Sequence, residues 1–162
     1  MSINSKNKGS NWEREVCKIF KKRWAGKDFM RVPSSGALMG QSNKVRHSVI
    51  DENVKEILSG DIICPPEFKF SVECKCYASI SFWDLFNDSS DLNSWINQCS
   101  SDAAFVSKLP MLIIKINNHK PIVGITVTVN DENSYAFEHR GFFFYTLEQL
   151  LGCDDALFFE EK

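Results

Sequence analysis

The alternation of apolar and polar residues is clearest between residues 68 and 77. Apolar side chains occupy every second position there: Phe68, Phe70, Val72, Cys74 and Cys76. Because successive side chains of a strand point to opposite faces, this period of two predicts a half-buried strand. Its polar face would present Glu73 and Lys75 together.

A shorter apolar run lies just before that strand. Residues 61–64 (DIIC) predict a buried strand, and the prolines at 65 and 66 end it with a turn. We expect the two strands to form a hairpin, which would bring Asp61 beside Glu73 and Lys75.

Apolar residues at helical spacing predict a first helix over residues 10–24. Ser10 or Asn11 would cap it, and Glu13 would lie near its N-terminus, where a negative charge is favoured. The C-terminal end of this helix is basic.

The remaining pattern predicts a second helix over residues 92–107, capped by Asp91 and carrying Gln98. Three further strands and a short helix that starts after Thr146 follow from the apolar runs at residues 111–116, 121–129 and 142–145. Residues 37–59 show only a short helical pattern at 49–58. The predicted fold class is α/β, with a mixed central sheet flanked by helices.

Composition indicates one domain. The 162 residues are 43% hydrophobic and 25% charged, as in globular proteins. No membrane span or signal peptide is recognisable, so we expect a cytoplasmic protein. The six cysteines mostly occupy apolar positions, which favours reduced core thiols. A zinc site is the less favoured alternative, because the chain has no C-x2-C pair.

The net charge of −2 conceals a strong asymmetry along the chain. Residues 1–50 hold eleven Lys and Arg against three Asp and Glu, whereas residues 51–162 hold eight against eighteen. A basic N-terminal face would attract a polyanion such as DNA. The alternative is an ordinary solvated basic helix.

Asp61, Glu73 and Lys75 together suggest metal-assisted hydrolysis. Carboxylate oxygens suit Mg²⁺, and a nearby lysine can orient a water molecule or stabilise developing negative charge. The alternative is a solvated strand face, since an E-x-K triplet occurs about once by chance in a chain of this length. The Pro-Ser-Ser-Gly turn at residues 33–36 either brings backbone amides to a phosphate or is an ordinary turn.

Five short motifs occur in a fixed order: KGSNWERE at 8–15, RVPSSG at 31–36, GDII at 60–63, ECK at 73–75, and Gln98 on the next helix. In this order the chain resembles the restriction-endonuclease-like PD-(D/E)xK nucleases, and among them the archaeal-type and phage Holliday junction resolvases. The resemblance covers about residues 8–127 of a single domain spanning 1–162. The segment between Gly36 and Gly60 is longer than in the archaeal proteins, and residues 130–162 form an extension.

The resemblance implies roles for individual residues. Asp61 and Glu73 would bind Mg²⁺, for which Mn²⁺ would substitute, and Glu13 would be a further acidic ligand or a close neighbour of the site. Lys75 would position or activate the attacking water. The residues expected to contact DNA or to support its binding are Lys8, Arg14, Arg31, Ser35 and Gln98.

The implied function is a Mg²⁺-dependent DNA endonuclease, in which an activated water attacks the phosphodiester in line. Resolvases of this kind are homodimers that cut opposing strands of a four-way junction. Two alternatives stay open at this point: a restriction- or repair-type nuclease acting on duplex DNA, and a DNA-binding protein that keeps the fold without cutting. A phage-encoded protein would act inside a bacterial host. The apolar residues 157–159 would pack on the body or on a second subunit.

Overall fold

The structure, a computed structural model, describes residues 3–33, 60–129 and 135–160. Within these ranges the helices are α1 (Ile3–Arg23), α2 (Asp91–Phe105) and α3 (Leu147–Leu151). The strands are β1 (Met30–Arg31), β2 (Ile62–Ile63), β3 (Phe70–Tyr77), β4 (Leu109–Ile116), β5 (Ile122–Ile125), β6 (Phe137–His139) and β7 (Phe142–Thr146). Two 3-10 helices span Phe82–Phe86 and Asp155–Leu157.

A five-stranded sheet with the strand order β3-β4-β5-β7-β6 forms the centre of the fold. β3 and β4 run parallel, with Glu73 opposite Leu112 and Lys75 opposite Ile114, and the other neighbours run antiparallel. The predicted α/β fold with a mixed central sheet and flanking helices is therefore confirmed. β3, the strand with the E-x-K triplet, lies at one edge of this sheet.

Helix α1 buries its apolar face against the core through Trp12, Val16 and Phe20. It begins at Ile3, so the predicted caps at Ser10 and Asn11 are wrong. Glu13 consequently lies well inside the helix, where the attraction between a carboxylate and a helix N-terminus no longer applies.

Helix α2 packs its own apolar face on the same sheet. Leu92, Trp95, Ile96 and Cys99 form a cluster with residues of β4 and β7. Ser90, rather than the predicted Asp91, caps this helix by accepting a hydrogen bond from the backbone N–H of Asn93. Both faces of β3 are covered, since Ser71 and Glu73 are buried along with the apolar positions. The prediction of a half-buried strand was wrong for this reason.

The predicted hairpin between β2 and β3 is also wrong. β2 pairs instead with β1 in a small antiparallel sheet, with Met30 opposite Ile63. The chain nevertheless contacts β3 just before β2, where the backbone N–H of Asp61 donates to the Val72 carbonyl at 2.8 Å. The expected proximity of Asp61 to the E-x-K strand is therefore present without the expected ladder.

The last described residues pack on the body of the protein. Phe158 is fully buried, with its ring centroid 4.8 Å from that of Trp24. The backbone N–H of Lys69 donates to the Phe158 carbonyl at 2.8 Å. All six cysteines are free thiols, and among the residues described no helix has the length and apolar character needed to cross a membrane.

Candidate active site

Asp61 is held against β3 by backbone hydrogen bonds on several sides. Its Oδ2 atom accepts from the backbone N–H of Cys74 at 2.8 Å, and its own N–H donates to Val72. Its carbonyl accepts from the N–H of Val32 at 2.9 Å. Asp61 is only 8% exposed, and these bonds hold its carboxylate in a fixed position beside Glu73.

Glu73, Lys75 and Gln98 form a hydrogen-bonded row. Glu73 and Lys75 share one face of β3, and Lys75 Nζ donates to Glu73 Oε1 at 2.6 Å. The same ammonium donates to Gln98 Oε1 on α2 at 2.9 Å. The lysine is therefore positioned from two elements at once, which fixes its head group over the carboxyl.

Opposing electrostatic effects act on the Glu73 carboxyl. Burial and the nearby Asp61 charge raise its pKa to about 8, although the Lys75 ammonium favours the ionised form. Burial alone would lower the pKa of Lys75, but the Glu73 charge and hydrogen bond outweigh it, so that pKa is raised. The raised pKa of Lys75 requires an ionised Glu73, whereas the raised pKa of Glu73 favours a neutral carboxyl. Because Glu73 is only 4% exposed, burial outweighs the Lys75 charge and the pKa of the carboxyl rises.

Glu13 is a third buried carboxylate next to Asp61. Burial and the Asp61 charge raise its pKa, and the Arg31 guanidinium opposes this rise. The Nε atom of Arg31 donates to Glu13 Oε2, and a terminal nitrogen of the same side chain donates to the Ser10 hydroxyl at 3.1 Å. A helix residue and a strand residue thus build one side of the site.

The donor set at Asp61 and Glu73 fits Mg²⁺. Within residues 3–33, 60–129 and 135–160, no group of three or more His, Cys, Asp and Glu side chains is arranged to hold a metal ion. Mg²⁺, however, usually takes only one or two carboxylates together with water molecules. The described hydrogen bonds engage one oxygen of each of these carboxylates. A cation would also offset the repulsion by Asp61, which adds to burial in raising the pKa of Glu73. The part of Glu13 as a ligand stays a prediction.

The residues predicted to contact DNA are not all gathered at this row. Gln98 is part of the row, and Arg31 lies beside it through its bonds to Glu13 and Ser10. Lys8 and Arg14, in contrast, lie on the exposed side of α1. The Arg14 guanidinium donates to Asn11 Oδ1 at 3.0 Å. Ser35 lies outside the described residues.

Comparison with known proteins assigns the family. A family model described as "Phage putative PDDEXK endonuclease" matches residues 4–148, which is most of the chain. The chain belongs to this family. The description of this family is that of a PD-(D/E)xK endonuclease. The matched range includes the elements that carry Glu13, Asp61, Glu73 and Lys75.

One curated relative of this PDDEXK family member is Protein D14 of Escherichia phage T5. The two sequences are 34% identical over 121 aligned residues, and the alignment covers 71% of this chain. The aligned part covers 66% of Protein D14, slightly less than two thirds of its length. No solved structure matches the chain with significance.

Three further residues contribute to this PDDEXK site, and the sequence pattern alone did not assign them that part. Ser10, read as a helix cap, accepts from Arg31; its position three residues before Glu13 places both on one helix face. Asp102 raises the pKa of Glu73, and it lies one helical turn after Gln98. Gly60 has φ +75°, and a Cβ there would meet the Val72 carbonyl at 2.6 Å. A glycine directly before Asp61 was the sequence signal for this tight turn.

Proposed function

We propose that the protein is a Mg²⁺-dependent DNA endonuclease that hydrolyses phosphodiester bonds at the Asp61 and Glu73 site. One observation carries the proposal. Lys75 donates to Glu73 while Asp61 is held beside it, so an acid pair and an amine meet at one place in a PDDEXK family member. Charged groups clustered in this way are typical of catalytic sites.

The chain's own residues would have distinct roles. Asp61 and Glu73 would hold the cation, which would neutralise charge on the phosphate and lower the pKa of a bound water. Lys75 would orient the attacking water and stabilise negative charge as it develops on the phosphate. Gln98 would keep the ammonium in place, and Arg31 would turn from Glu13 to a phosphate oxygen when DNA is bound.

Branched DNA is the proposed substrate, with a four-way junction as its best representative. The support is the order of the motifs in α1, at residues 31–36, and at the acid and E-x-K positions, which resembles that of junction resolvases. The same resemblance supports a homodimer with two sites, one for each opposing strand. The proposed setting is the cytoplasm of a bacterial host, as befits a relative of a phage protein.

Cleavage of an end-labelled four-way junction beside a matched linear duplex tests the proposal. Wild type, Lys75→Ala and Lys120→Ala would be compared in Mg²⁺, in Mn²⁺ and in EDTA. Lys120 is the matched control, because its ammonium also pairs with a glutamate, Glu148, but on the open surface. We expect symmetric nicks on the junction with wild type and Lys120→Ala, and none in EDTA or with Lys75→Ala.

Other results would change the assignment in defined ways. Equal cutting of both substrates would keep the nuclease and remove the preference for junctions, leaving a restriction- or repair-type enzyme. If neither substrate is cut in Mg²⁺ or in Mn²⁺ while DNA binding is retained, the protein is a DNA-binding protein without catalysis. Full activity of Lys75→Ala would move the active site elsewhere.

A further inference from the structure

Three aromatic side chains form an exposed patch on the 3-10 helix Phe82–Phe86. Phe82 is 66% exposed, and Trp83 and Phe86 are each 72% exposed. Their ring centroids lie 5.5 to 6.1 Å apart, so the rings contact one another rather than the core. Phe82, Trp83 and Phe86 are called the aromatic patch below.

The backbone beneath the aromatic patch is firmly attached to the body. Ser81 and Asp84 form a capping box at the start of the 3-10 helix. The Ser90 hydroxyl donates to the Asp84 carbonyl at 2.8 Å, and the Asn93 side-chain amide donates to the Asn87 carbonyl at the same distance. Leu85 packs against the apolar cluster under α2. The rings are therefore presented outward by an ordered segment, which lowers the entropy cost of binding.

The size of the aromatic patch suits the centre of a protein interface. A buried aromatic side chain covers about 150–250 Å², so the three rings present on the order of 400 Å². A standard interface takes about 800 Å² from each partner, with aromatic residues enriched at its centre. Tyr77 and Ile80, which precede the aromatic patch in the chain, are also exposed apolar side chains.

The charges around the aromatic patch favour a protein over a nucleic acid. Asp88 and Asp91 are exposed at its border and would repel phosphates, while single-strand binding sites combine aromatic rings with a basic groove. Arg140 pairs with Asp88, whose side chain is almost fully exposed and can take a second partner. A border with both signs can be complementary to a second copy of itself, as a two-fold interface requires.

We propose that the aromatic patch is the surface through which two copies of this chain associate. The inference rests on the proposed function in naming the surface of the proposed homodimer. The segment lies between β3, which carries Glu73 and Lys75, and α2, which carries Gln98. Association through it would therefore set the spacing of the two active sites on a branched substrate.

Molar mass measured over a concentration series, without DNA or metal, tests the proposal. Wild type, the double variant Trp83→Ser/Phe86→Ser and the control Phe105→Ser would be compared by light scattering and sedimentation. Phe105 is an exposed aromatic residue at the end of α2, outside the patch. We expect wild type and the control to reach twice the 18.5 kDa of one chain. The double variant should dissociate with a Kd at least about tenfold higher.

Three outcomes would overturn this assignment. Wild type that stays monomeric at every concentration would do so, as would a double variant that dimerises as tightly as wild type. The third is quenching of exposed tryptophan fluorescence by single-stranded DNA. It would give the patch to nucleobases, because the other three tryptophans are buried and the signal reports Trp83. None of these measurements involves cleavage, so a monomer that still cuts DNA in Mg²⁺ would remove the interface and keep the nuclease.

Discussion

The Glu73 carboxyl is kept in an unfavourable place. It is buried, it lies next to Asp61, and its pKa is raised to about 8 even though Lys75 donates to it. A protein gains no stability from such an arrangement, because an apolar side chain of similar size would avoid the desolvation cost. The arrangement suits the proposed cation site, since a bound positive charge would offset the repulsion between the two carboxylates.

The raised pKa of Glu73 predicts how stability depends on pH in the absence of metal. Between about pH 5 and 8 the folded protein holds a proton that the unfolded chain has released, so this group makes stability fall as pH rises. We expect the melting temperature in EDTA to decrease across this range. Mg²⁺ should raise the melting temperature more at pH 8.5 than at pH 6, because at pH 6 the ion must first displace the proton on Glu73.

Glu73→Gln is the control for this pH dependence. The amide does not titrate, so the variant should lose most of the decrease between pH 5 and 8 while other groups keep their contributions. Its melting temperature should also respond little to Mg²⁺. A wild-type melting curve that is flat in this range, or a Glu73→Gln variant with the same slope as wild type, would contradict the assignment.

Gln98 is expected to act through Lys75. Its Oε1 atom accepts from Nζ at 2.9 Å, so Gln98→Ala would leave the ammonium held by Glu73 alone. We expect the single-turnover cleavage rate to fall about tenfold, equivalent to about 1.4 kcal/mol of transition-state stabilisation. Asn97→Ala, at the neighbouring exposed amide, should leave the rate unchanged. Equal rates for the two variants would show that Lys75 needs no support from α2.

At the scale of elements, the turn that delivers Asp61 to β3 depends on a glycine. Gly60 has φ +75°, and a Cβ at this position would meet the Val72 carbonyl oxygen at 2.6 Å. Gly60→Ala should therefore displace the backbone at Asp61 and break its N–H bond to Val72. We expect about 1–3 kcal/mol of lost stability, and cleavage reduced beyond what the lower stability explains.

Gly26→Ala provides a matched control for this turn. Gly26 also has a positive φ, +87°, but a Cβ there would meet nothing within 4 Å. Only the strain of a left-handed residue should appear, about 1 kcal/mol by urea denaturation, with cleavage retained at temperatures where the variant is folded. If the two variants lose activity equally, the close contact at Gly60 does not position Asp61.

Local signals in the sequence identified some elements well. The short helix predicted to start after Thr146 is present, and the Thr146 hydroxyl caps it by accepting from the N–H of Gln149. The start of α1 was misplaced because residues 3–9 are nearly all polar and lack the apolar stripe that marked the rest of the helix. The pairing of β1 with β2 joins segments that are thirty residues apart, and no local pattern encodes it.

In the candidate site, too, the sequence pattern predicted local features and not contacts between distant segments. The spacing of Asp61, Glu73 and Lys75 was readable, because one strand and a nearby turn carry all three residues. The burial of Glu73 was not, since its cover comes from α2, far along the chain. The pairing of Glu13 with Arg31 is equally non-local, so the sequence located the carboxylates without their electrostatic environment.

At the scale of the whole molecule, the C-terminal segment completes the core that α1 and β3 begin. Phe158 contacts the rings of Trp24, Phe68 and Phe70, which belong to the start of the fold. The Arg23 guanidinium at the end of α1 donates to the Leu151 carbonyl at 2.8 Å. The segment that the sequence pattern set apart as an extension is therefore tied to the same core as the candidate site.

Phe158→Ala should consequently destabilise the whole protein. Removing a fully buried phenylalanine typically costs about 3–5 kcal/mol in the free energy of unfolding, because a cavity remains. Phe159→Ala, at the neighbouring partly buried ring, should cost less. Urea denaturation measures both, with the midpoint shifted and the slope unchanged if the protein unfolds as one unit. Cleavage by folded Phe158→Ala should stay near the wild-type rate, since the ring packs with Trp24, Phe68 and Phe70 rather than forming part of the Glu73–Lys75–Gln98 row. A loss of stability below about 0.5 kcal/mol, no larger than that typical of surface substitutions, would show that the C-terminal segment is not part of the core.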